Sequence, residues 1–171
     1  MKTRSDLSCQ MPPEGENRPN ADDFGRALGP GTGFNLLVRD VETAARYQAA
    51  VLGAKVNYWD RDFAILRAGS EAGGDLWMLH HDRTYRDHPL SGIAQGADQA
   101  GGRGAGAELR LYGRDPDAAE AAARRVEDEL GGVVLAGAAD KPHGLREAYL
   151  IDPEGYCWVP CIPKAMANES G

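Results

Sequence analysis

The residue types that could do chemistry in this chain are its four histidines, its three cysteines and a few charged residues on predicted strands. Histidine and carboxylate groups can bind a divalent cation or transfer protons. His80, His81 and His88 follow one apolar run, and Glu108 begins another, two residues before Arg110. The sequence has no serine-nucleophile, zinc-protease or P-loop motif. Ligand binding, proton transfer and metal coordination are therefore the chemistries to compare.

Glycine-rich stretches and cysteines indicate no further site. Gly29–Gly33 and Gly101–Gly106 each lead into a strand rather than a helix, so we interpret both as turns and not as phosphate-binding loops. Cys9, Cys157 and Cys161 are odd in number, which fits a reducing cytoplasm. The latter two, four residues apart on one strand, would lie roughly 13 Å apart, beyond disulfide reach.

Charge and composition exclude several classes of partner. A net charge of -7 argues against a nucleic-acid surface and against docking on anionic membranes. No apolar stretch is long enough to span a bilayer, and the first twenty residues lack the apolar core of a secretory signal. We expect a cytoplasmic globular domain.

An internal repeat organises the chain. Phe34–Asp40 and Leu109–Asp115 are two short apolar runs that each end in Arg-Asp. A helical pattern follows each, over Val41–Leu52 and over Pro116–Leu130, and the aspartates stand where N-caps are needed. After each helix come three strand-like runs. The six runs are Lys55–Trp59, Phe63–Ala68, Asp75–His80, Val133–Ala136, Leu145–Ile151 and Tyr156–Cys161.

Each half therefore has the order β-α-β-β-β, and the fold class is α+β. We expect two tandem modules, at about 32–81 and 105–163, whose curved mixed sheets surround a central cavity with the helices outside. A flexible N-terminal arm over 1–31, with a short helix near Ala21–Leu28, a linker over 82–104 and a tail over 164–171 complete the predicted organisation.

The second half carries a more specific pattern. Pro142-His-Gly-Leu-Arg-Glu147 is followed by Ile151-Asp-Pro-Glu-Gly-Tyr156 and then by Trp158. Placed after a strand–helix unit, this resembles the Trp-Gly-x-Arg-Glu-Phe and Asp-Pro-x-Gly ending of bleomycin-resistance-like proteins. Over about residues 32–163 the repeat is similar to the vicinal oxygen chelate superfamily, which includes glyoxalase I, bleomycin-resistance proteins and extradiol dioxygenases.

The resemblance implies where a metal would bind. Catalytic members place His or Glu on the first and last strand of each half, converging on one cation with an open coordination position. The matching positions here are Gly33, Met78, Glu108 and Val159. Only Glu108 suits such a cation, and His80, one pleat beyond Met78, would add a second ligand. We expect no metal and no cofactor; if a metal binds, Glu108 and His80 are its candidate ligands.

Strand alternation predicts which side chains face the cavity if those four positions do. Trp77 and Trp158 then belong to the core beneath the helices. The expected ligand-binding residues are Asn35, Leu37, Trp59, Met78, His80, Glu108, Arg110, Tyr112, Arg146 and Val159. Such a surface suits an uncharged or mildly charged organic molecule with a flat portion. Two simpler interpretations stay open: Glu108 and Arg110 as a self-satisfying ion pair, and His80-His81 as a polar strand end.

Three functions fit this pattern. The leading hypothesis is a metal-independent protein that sequesters an organic drug or metabolite, in a cavity completed by the second subunit of a homodimer, as the resemblance implies. The alternative is a metal-dependent lyase, isomerase or dioxygenase with a degenerate site. A scaffold with an empty cavity is the third. Whether the chain is catalytic, and which ligand it binds, remain open at this point.

Overall fold

The computed structural model describes residues 11–28, 30, 32–68, 75–89 and 103–164. The first half contains α1 (Ala21–Ala27), β1 (Gly33–Val38), α2 (Val41–Leu52), β2 (Lys55–Trp59), β3 (Phe63–Arg67), β4 (Leu76–His81) and a 3-10 helix (Asp82–Tyr85). The second half contains β5 (Glu108–Tyr112), α3 (Pro116–Leu130), β6 (Val133–Asp140), β7 (Leu145–Ile151) and β8 (Cys157–Pro163). The predicted order β-α-β-β-β is present twice.

The two long helices begin and end where the sequence predicts. The Asp40 carboxylate accepts a hydrogen bond from the Thr43 amide at 3.1 Å, and the Asp115 carboxylate accepts from the Asp117 amide at 2.9 Å. These caps satisfy amides that have no partner within the helix. Gly53 ends α2 in the left-handed conformation, at a φ of 69°, which a side chain would disfavour.

Each half forms one four-stranded sheet with the same topology. The strand orders are β1-β4-β3-β2 and β5-β8-β7-β6, and the first pair in each sheet is parallel while the others are antiparallel. Neither sheet closes into a barrel, and β1 and β5 are edge strands. The duplicated architecture predicted from the repeat is confirmed.

The two halves meet through their helices and through the helix-covered sides of their sheets. Helix α2 packs against α3, and Trp77 of β4 contacts Trp158 of β8, with ring centroids 5.4 Å apart. Both indoles are about 1% exposed, as expected of core residues. The prediction that the helices lie outside is therefore wrong: each sheet turns its helix-covered side toward one shared core. Both helices carry a stripe of buried apolar residues, and packing the helices against each other helps to remove these stripes from water.

Buried polar groups join the halves inside this core. The Gln48 side chain accepts from the Trp77 indole at 2.7 Å and donates to the Asp152 carboxylate at 3.4 Å. The Trp158 indole donates to the same carboxylate at 2.9 Å. Burial raises the pKa of Asp152, while bonds from Trp158, from two backbone amides and from Gln48 oppose that rise. We call these four side chains the polar joint.

The segments outside the two modules are described only in part. Of the expected arm, residues 11–28 and 30 are described, and the Pro12 carbonyl accepts from the Trp59 indole at 2.7 Å. Of the expected linker, 82–89 and 103–104 are described; most of the predicted tail lies outside the described residues. Within the described ranges, none of the helices has the length and apolarity needed to cross a membrane.

The joint makes a first prediction. Gln48→Leu should lower the free energy of unfolding by about 1–3 kcal/mol, because the buried Trp77 N–H loses its acceptor. Urea unfolding measures the effect. Asp128→Leu, at an exposed position of α3, is the control and should change stability by about 0.5 kcal/mol or less. Equal effects of the two substitutions would contradict the joint.

Candidate functional site

We call the side of each sheet that points away from its helix the open face. On the first open face, strand register places Asn35 beside Met78 and Leu37 beside His80. Phe63 of β3 is the cross-strand neighbour of His80. Asn35 is exposed and the others are half-buried. The structure therefore brings four of the sequence-predicted residues, Asn35, Leu37, Met78 and His80, together on one surface.

Aromatic rings surround His80. Its ring centroid lies 4.9 Å from that of Phe63 and 5.2 Å from that of Tyr85, and Tyr85 stacks on His88 at 4.0 Å. The Nε2 atom of His80 is buried and has no hydrogen-bond partner among the described residues. Burial, with a smaller contribution from His88, lowers the pKa of His80, so its imidazole is neutral near pH 7.

The second open face carries four more predicted residues. Glu108 pairs with Cys157, Arg110 with Val159, and Tyr112 with Cys161 across the parallel strands β5 and β8. Tyr112 is 74% exposed, whereas Val159 is fully buried by its neighbours. Glu108, Arg110 and Tyr112 thus form an accessible polar and aromatic edge over an apolar floor.

A buried carboxylate organises this face. The Glu147 side chain is inaccessible to solvent, although it lies on the open face of β7. Arg110 donates to it, His143 Nε2 lies 2.8 Å from Oε1, and the Tyr149 hydroxyl donates to Oε2 at 3.0 Å. Arg110 also donates to Glu108 at 2.8 Å. The ion pair between Arg110 and Glu108 is present, but it is one edge of a larger network.

The network keeps Glu147 and Arg110 ionised. Burial alone would raise the pKa of Glu147, but bonds from His143 and Tyr149 and the charge of Arg110 hold that pKa below its usual value of 4.5. Burial opposes the charge of Arg110, yet the two glutamates raise its pKa. A desolvated pair of this kind is stable only when its remaining hydrogen-bonding groups are satisfied, and here they are largely satisfied.

Two predicted residues lie away from the open faces. Trp59 pairs with Ala64 on the helix side of the first sheet, because an irregularity between Val56 and Tyr58 shifts the register. Arg146 lies on the helix side of the second sheet, where its guanidinium binds Asp117 of α3 at 2.6 Å. Neither is brought together with the other eight.

Trp59 instead lines a separate open cavity of about 250 Å³ at the end of the first sheet. Its lining residues are Glu14, Arg39, Asp40, Val41, Glu42, Trp59, Arg61, His81 and Arg83. Each of its three arginines pairs with a carboxylate. The lining charges are therefore largely compensated from within the protein.

The metal positions implied by the resemblance do not gather donors. Met78 pairs with Asn35, and Val159 pairs with Arg110. His80 and Glu108 lie on different sheets. Across the described ranges, no three His, Cys, Asp or Glu residues form a group that could hold a metal ion. Of the four matching positions, Glu108 is the one with a carboxylate, and its side chain is 48% exposed.

Sequence reasoning missed Glu147, Tyr149 and Tyr85. A signal for the first existed, because Glu147 belongs to the same Gly-Leu-Arg-Glu motif as Arg146 and has the opposite strand parity. Tyr85 gave no signal, since it follows β4 on a 3-10 helix within the predicted linker.

The network makes a second prediction. Glu147→Gln should lower the free energy of unfolding at pH 7 by about 1–3 kcal/mol, because a buried acceptor becomes a donor facing donors. The lowered pKa of Glu147 means that this contribution is present above pH 4.5 and is lost as pH falls through the folded-state value.

Urea unfolding across pH 3–7 measures this dependence. The difference from wild type should therefore shrink in acid. Glu127→Gln, at an exposed position of α3, is the control and should show little difference at any pH. A Glu147→Gln effect that stayed constant down to pH 3 would contradict the assigned ionisation.

Comparison with known proteins places this architecture. No family model matches the sequence, and no curated protein matches it. Hypothetical protein SA1046 from S. aureus has a similar structure, with a TM-score of 0.57 and 18% identity, over 81% of this chain and 98% of that one. A glyoxalase-related enzyme from Fulvimarina pelagi has a TM-score of 0.55 and 18% identity, over 79% of this chain and 88% of its own.

A third similar structure carries the family description in full. It is a glyoxalase/bleomycin resistance protein/dioxygenase family enzyme from Burkholderia phytofirmans PsJN, with a TM-score of 0.56 and 16% identity, over 77% of this chain and 97% of that one. At such identities the likeness concerns the fold. The chain has the fold of the glyoxalase, bleomycin-resistance and dioxygenase proteins, the vicinal oxygen chelate fold that its repeat resembles.

Proposed function

We propose that this protein binds a small organic molecule on its open faces without a metal ion, and that binding is its activity. The observation that carries the proposal is the composition of those faces. Each combines aromatic rings with a small number of oriented polar groups, His80 and Asn35 on one sheet and Arg110 with Glu108 on the other. Ligand sites have this mixture of apolar walls and few polar anchors.

The ligand chemistry follows from the accessible groups. On the second face the exposed Tyr112 ring offers a stacking surface. Arg110 and Glu108 are both partly exposed and already neutralise each other. An uncharged or weakly charged molecule with a flat portion can contact these groups without leaving either charge unpaired. A strongly charged ligand would have to break the ion pair.

The proposal of metal independence rests on residue types. Three of the four positions where catalytic relatives carry ligands are occupied by glycine, methionine and valine, and the fourth, Glu108, is bound by Arg110. A metal-assisted mechanism needs several protein ligands and an open position. This supports binding without a metal and gives no positive support to the lyase, isomerase or dioxygenase alternative.

We further propose that a second copy of the chain completes the site. Each open face lies on the side of its sheet away from the shared core, so the two faces do not enclose one cavity within the described part of a single chain. The edge strands β1 and β5 carry exposed residues, Phe34 and Asn35 near the start of β1 and Tyr112 at the end of β5. A homodimer that placed the first face of one copy over the second face of another would enclose the ligand.

We propose a cytoplasmic location for this activity, on two grounds. Burial raises the pKa values of Cys157 and Cys161, so both thiols are largely protonated and unreactive near neutral pH. Neither residue forms a disulfide. Thiols of this kind fit a reducing compartment.

A combined measurement tests the proposal. The protein is purified without chelators and assayed for bound metal, then screened by thermal shift against uncharged aromatic and heteroaromatic compounds. We expect sub-stoichiometric metal and at least one compound that raises the melting temperature, because ligands of the native state stabilise it. A stoichiometric divalent metal would overturn metal independence, and a screen without any stabilising compound would overturn binding.

A surface substitution locates the site. Tyr112→Ala should lower the affinity for a compound found in the screen about tenfold, because one stacking contact is lost. The melting temperature of the unliganded protein should stay unchanged, because Tyr112 is 74% exposed. Leu28→Ala, at an exposed residue after α1, is the control and should not change affinity.

Size-exclusion chromatography with light scattering measures the oligomeric state, and a monomer at micromolar concentration would contradict the homodimer.

A further inference from the structure

We infer that the first open face takes an aromatic ring bearing one hydrogen-bonding group, and that His80 Nε2 makes the hydrogen bond to it. This inference rests on the proposed function and specifies the ligand class and its anchor. It is carried by the surroundings of His80, a buried polar atom among aromatic rings.

The ring arrangement defines a slot. Phe63 lies on one side of the His80 imidazole, at 4.9 Å between centroids, and Tyr85 lies at 5.2 Å with an interplanar angle of 61°. Leu37 of the neighbouring strand borders the same position. Such separations are those of interacting aromatic pairs. A flat ring of similar size can therefore replace a protein ring here and keep the same kinds of contact.

The slot contains a buried polar atom, Nε2 of His80, that lacks a hydrogen-bond partner among the described residues. A buried nitrogen without a partner destabilises the fold, and most such atoms in proteins are paired. A phenylalanine at this position would fill similar space at no such cost. A ligand group that bonds to Nε2 accounts for a histidine in this place.

The protonation state narrows the ligand further. Burial, with a smaller electrostatic contribution from His88, lowers the pKa of His80, so its imidazole carries no charge that could attract or repel an ionic ligand group. A neutral group can form a hydrogen bond with Nε2. A neutral imidazole nitrogen either accepts or donates one hydrogen bond, depending on its tautomer. Phenols and heteroaromatic amines or amides meet this requirement, because each places one such group on a flat ring.

Access requires a movement of Tyr85. This residue ends the 3-10 helix Asp82–Tyr85 and covers His80 while stacking on His88 at 4.0 Å. The helix is held at its other end, where Arg103 forms an ion pair with Asp82. The ring at the far end can swing aside while the helix stays anchored. The entering ring then takes the place of the Tyr85 ring over His80.

A matched pair of probes tests the hydrogen bond. 2-Naphthol and 2-methylnaphthalene have the same ring system and differ in one hydroxyl. Titration calorimetry or competitive fluorescence on the full chain should show 2-naphthol binding about tenfold more tightly, the difference expected for one hydrogen bond to a buried group. Nitrogen chemical shifts of the His80 ring, measured by NMR on the wild type, should change with 2-naphthol and not with the methyl compound.

Two variants provide the contrast. His80→Phe should raise the melting temperature of the unliganded protein by roughly 2–5 °C, because it removes the buried nitrogen that lacks a partner. The variant should bind 2-naphthol and 2-methylnaphthalene about equally. His81→Phe is the control on the opposite face of the same strand. It removes an acceptor of the Arg83 amide, so it should not stabilise the fold and should keep the tenfold preference.

The outcomes separate this inference from the proposed function. Equal affinities for the two probes, or an unchanged His80 shift on adding 2-naphthol, would overturn the anchor and leave small-molecule binding intact. No binding of either probe would likewise overturn the aromatic slot, while the wider screen decides the function independently. A His80→Phe protein that is less stable than wild type would show that Nε2 is already satisfied and would also overturn the inference.

Discussion

The polar joint at the centre of the molecule determines the rest of the architecture. Gln48 accepts a hydrogen bond from the Trp77 indole, and Asp152 accepts one from the Trp158 indole. These bonds make it possible to bury both large rings in one core. An unpaired indole N–H or carboxylate at this depth would be costly, so the two halves must meet in one orientation. That orientation directs the helices inward and leaves the other side of each sheet uncovered by its helix.

The two buried carboxylates show how differently the fold uses the same group. Asp152 is held by indole, amide and backbone donors, with no cation among the donors that the described residues supply, and burial raises its pKa. Glu147 is held by Arg110, His143 and Tyr149, and its pKa is lowered. The first stabilises the contact between halves. The second orients Arg110 on an open face, and a positioned guanidinium is useful where molecules bind.

Most of the fold was predictable from local signals. The aspartate caps, the terminal glycines and the repeat gave both long helices and the β-α-β-β-β order, because each depends on residues within one element. The alternation of side chains along the strands correctly predicted which eight of the ten candidate residues lie on the open faces. It failed at Trp59, where one irregularity in β2 reverses the alternation, and at Arg146, whose pairing with Asp117 depends on the position of α3. The inward position of the helices depends on contacts between the two halves. The periodicity of apolar residues within one element cannot predict such contacts.

Duplication has given the two open faces different chemistry on the same backbone. At equivalent strand pairings, the first face has Asn35, Met78 and a neutral histidine among rings, and the second has Arg110 between two carboxylates. For the ligand proposed above, two unlike faces favour a molecule with a flat neutral part and a separate polar part. The shared core separates these faces within the described part of one chain, which is the reason for proposing that a second copy completes the site. In the homodimer proposed above, a twofold axis that placed the first face of each copy over the second face of the other would create two identical sites, each with one face of either kind.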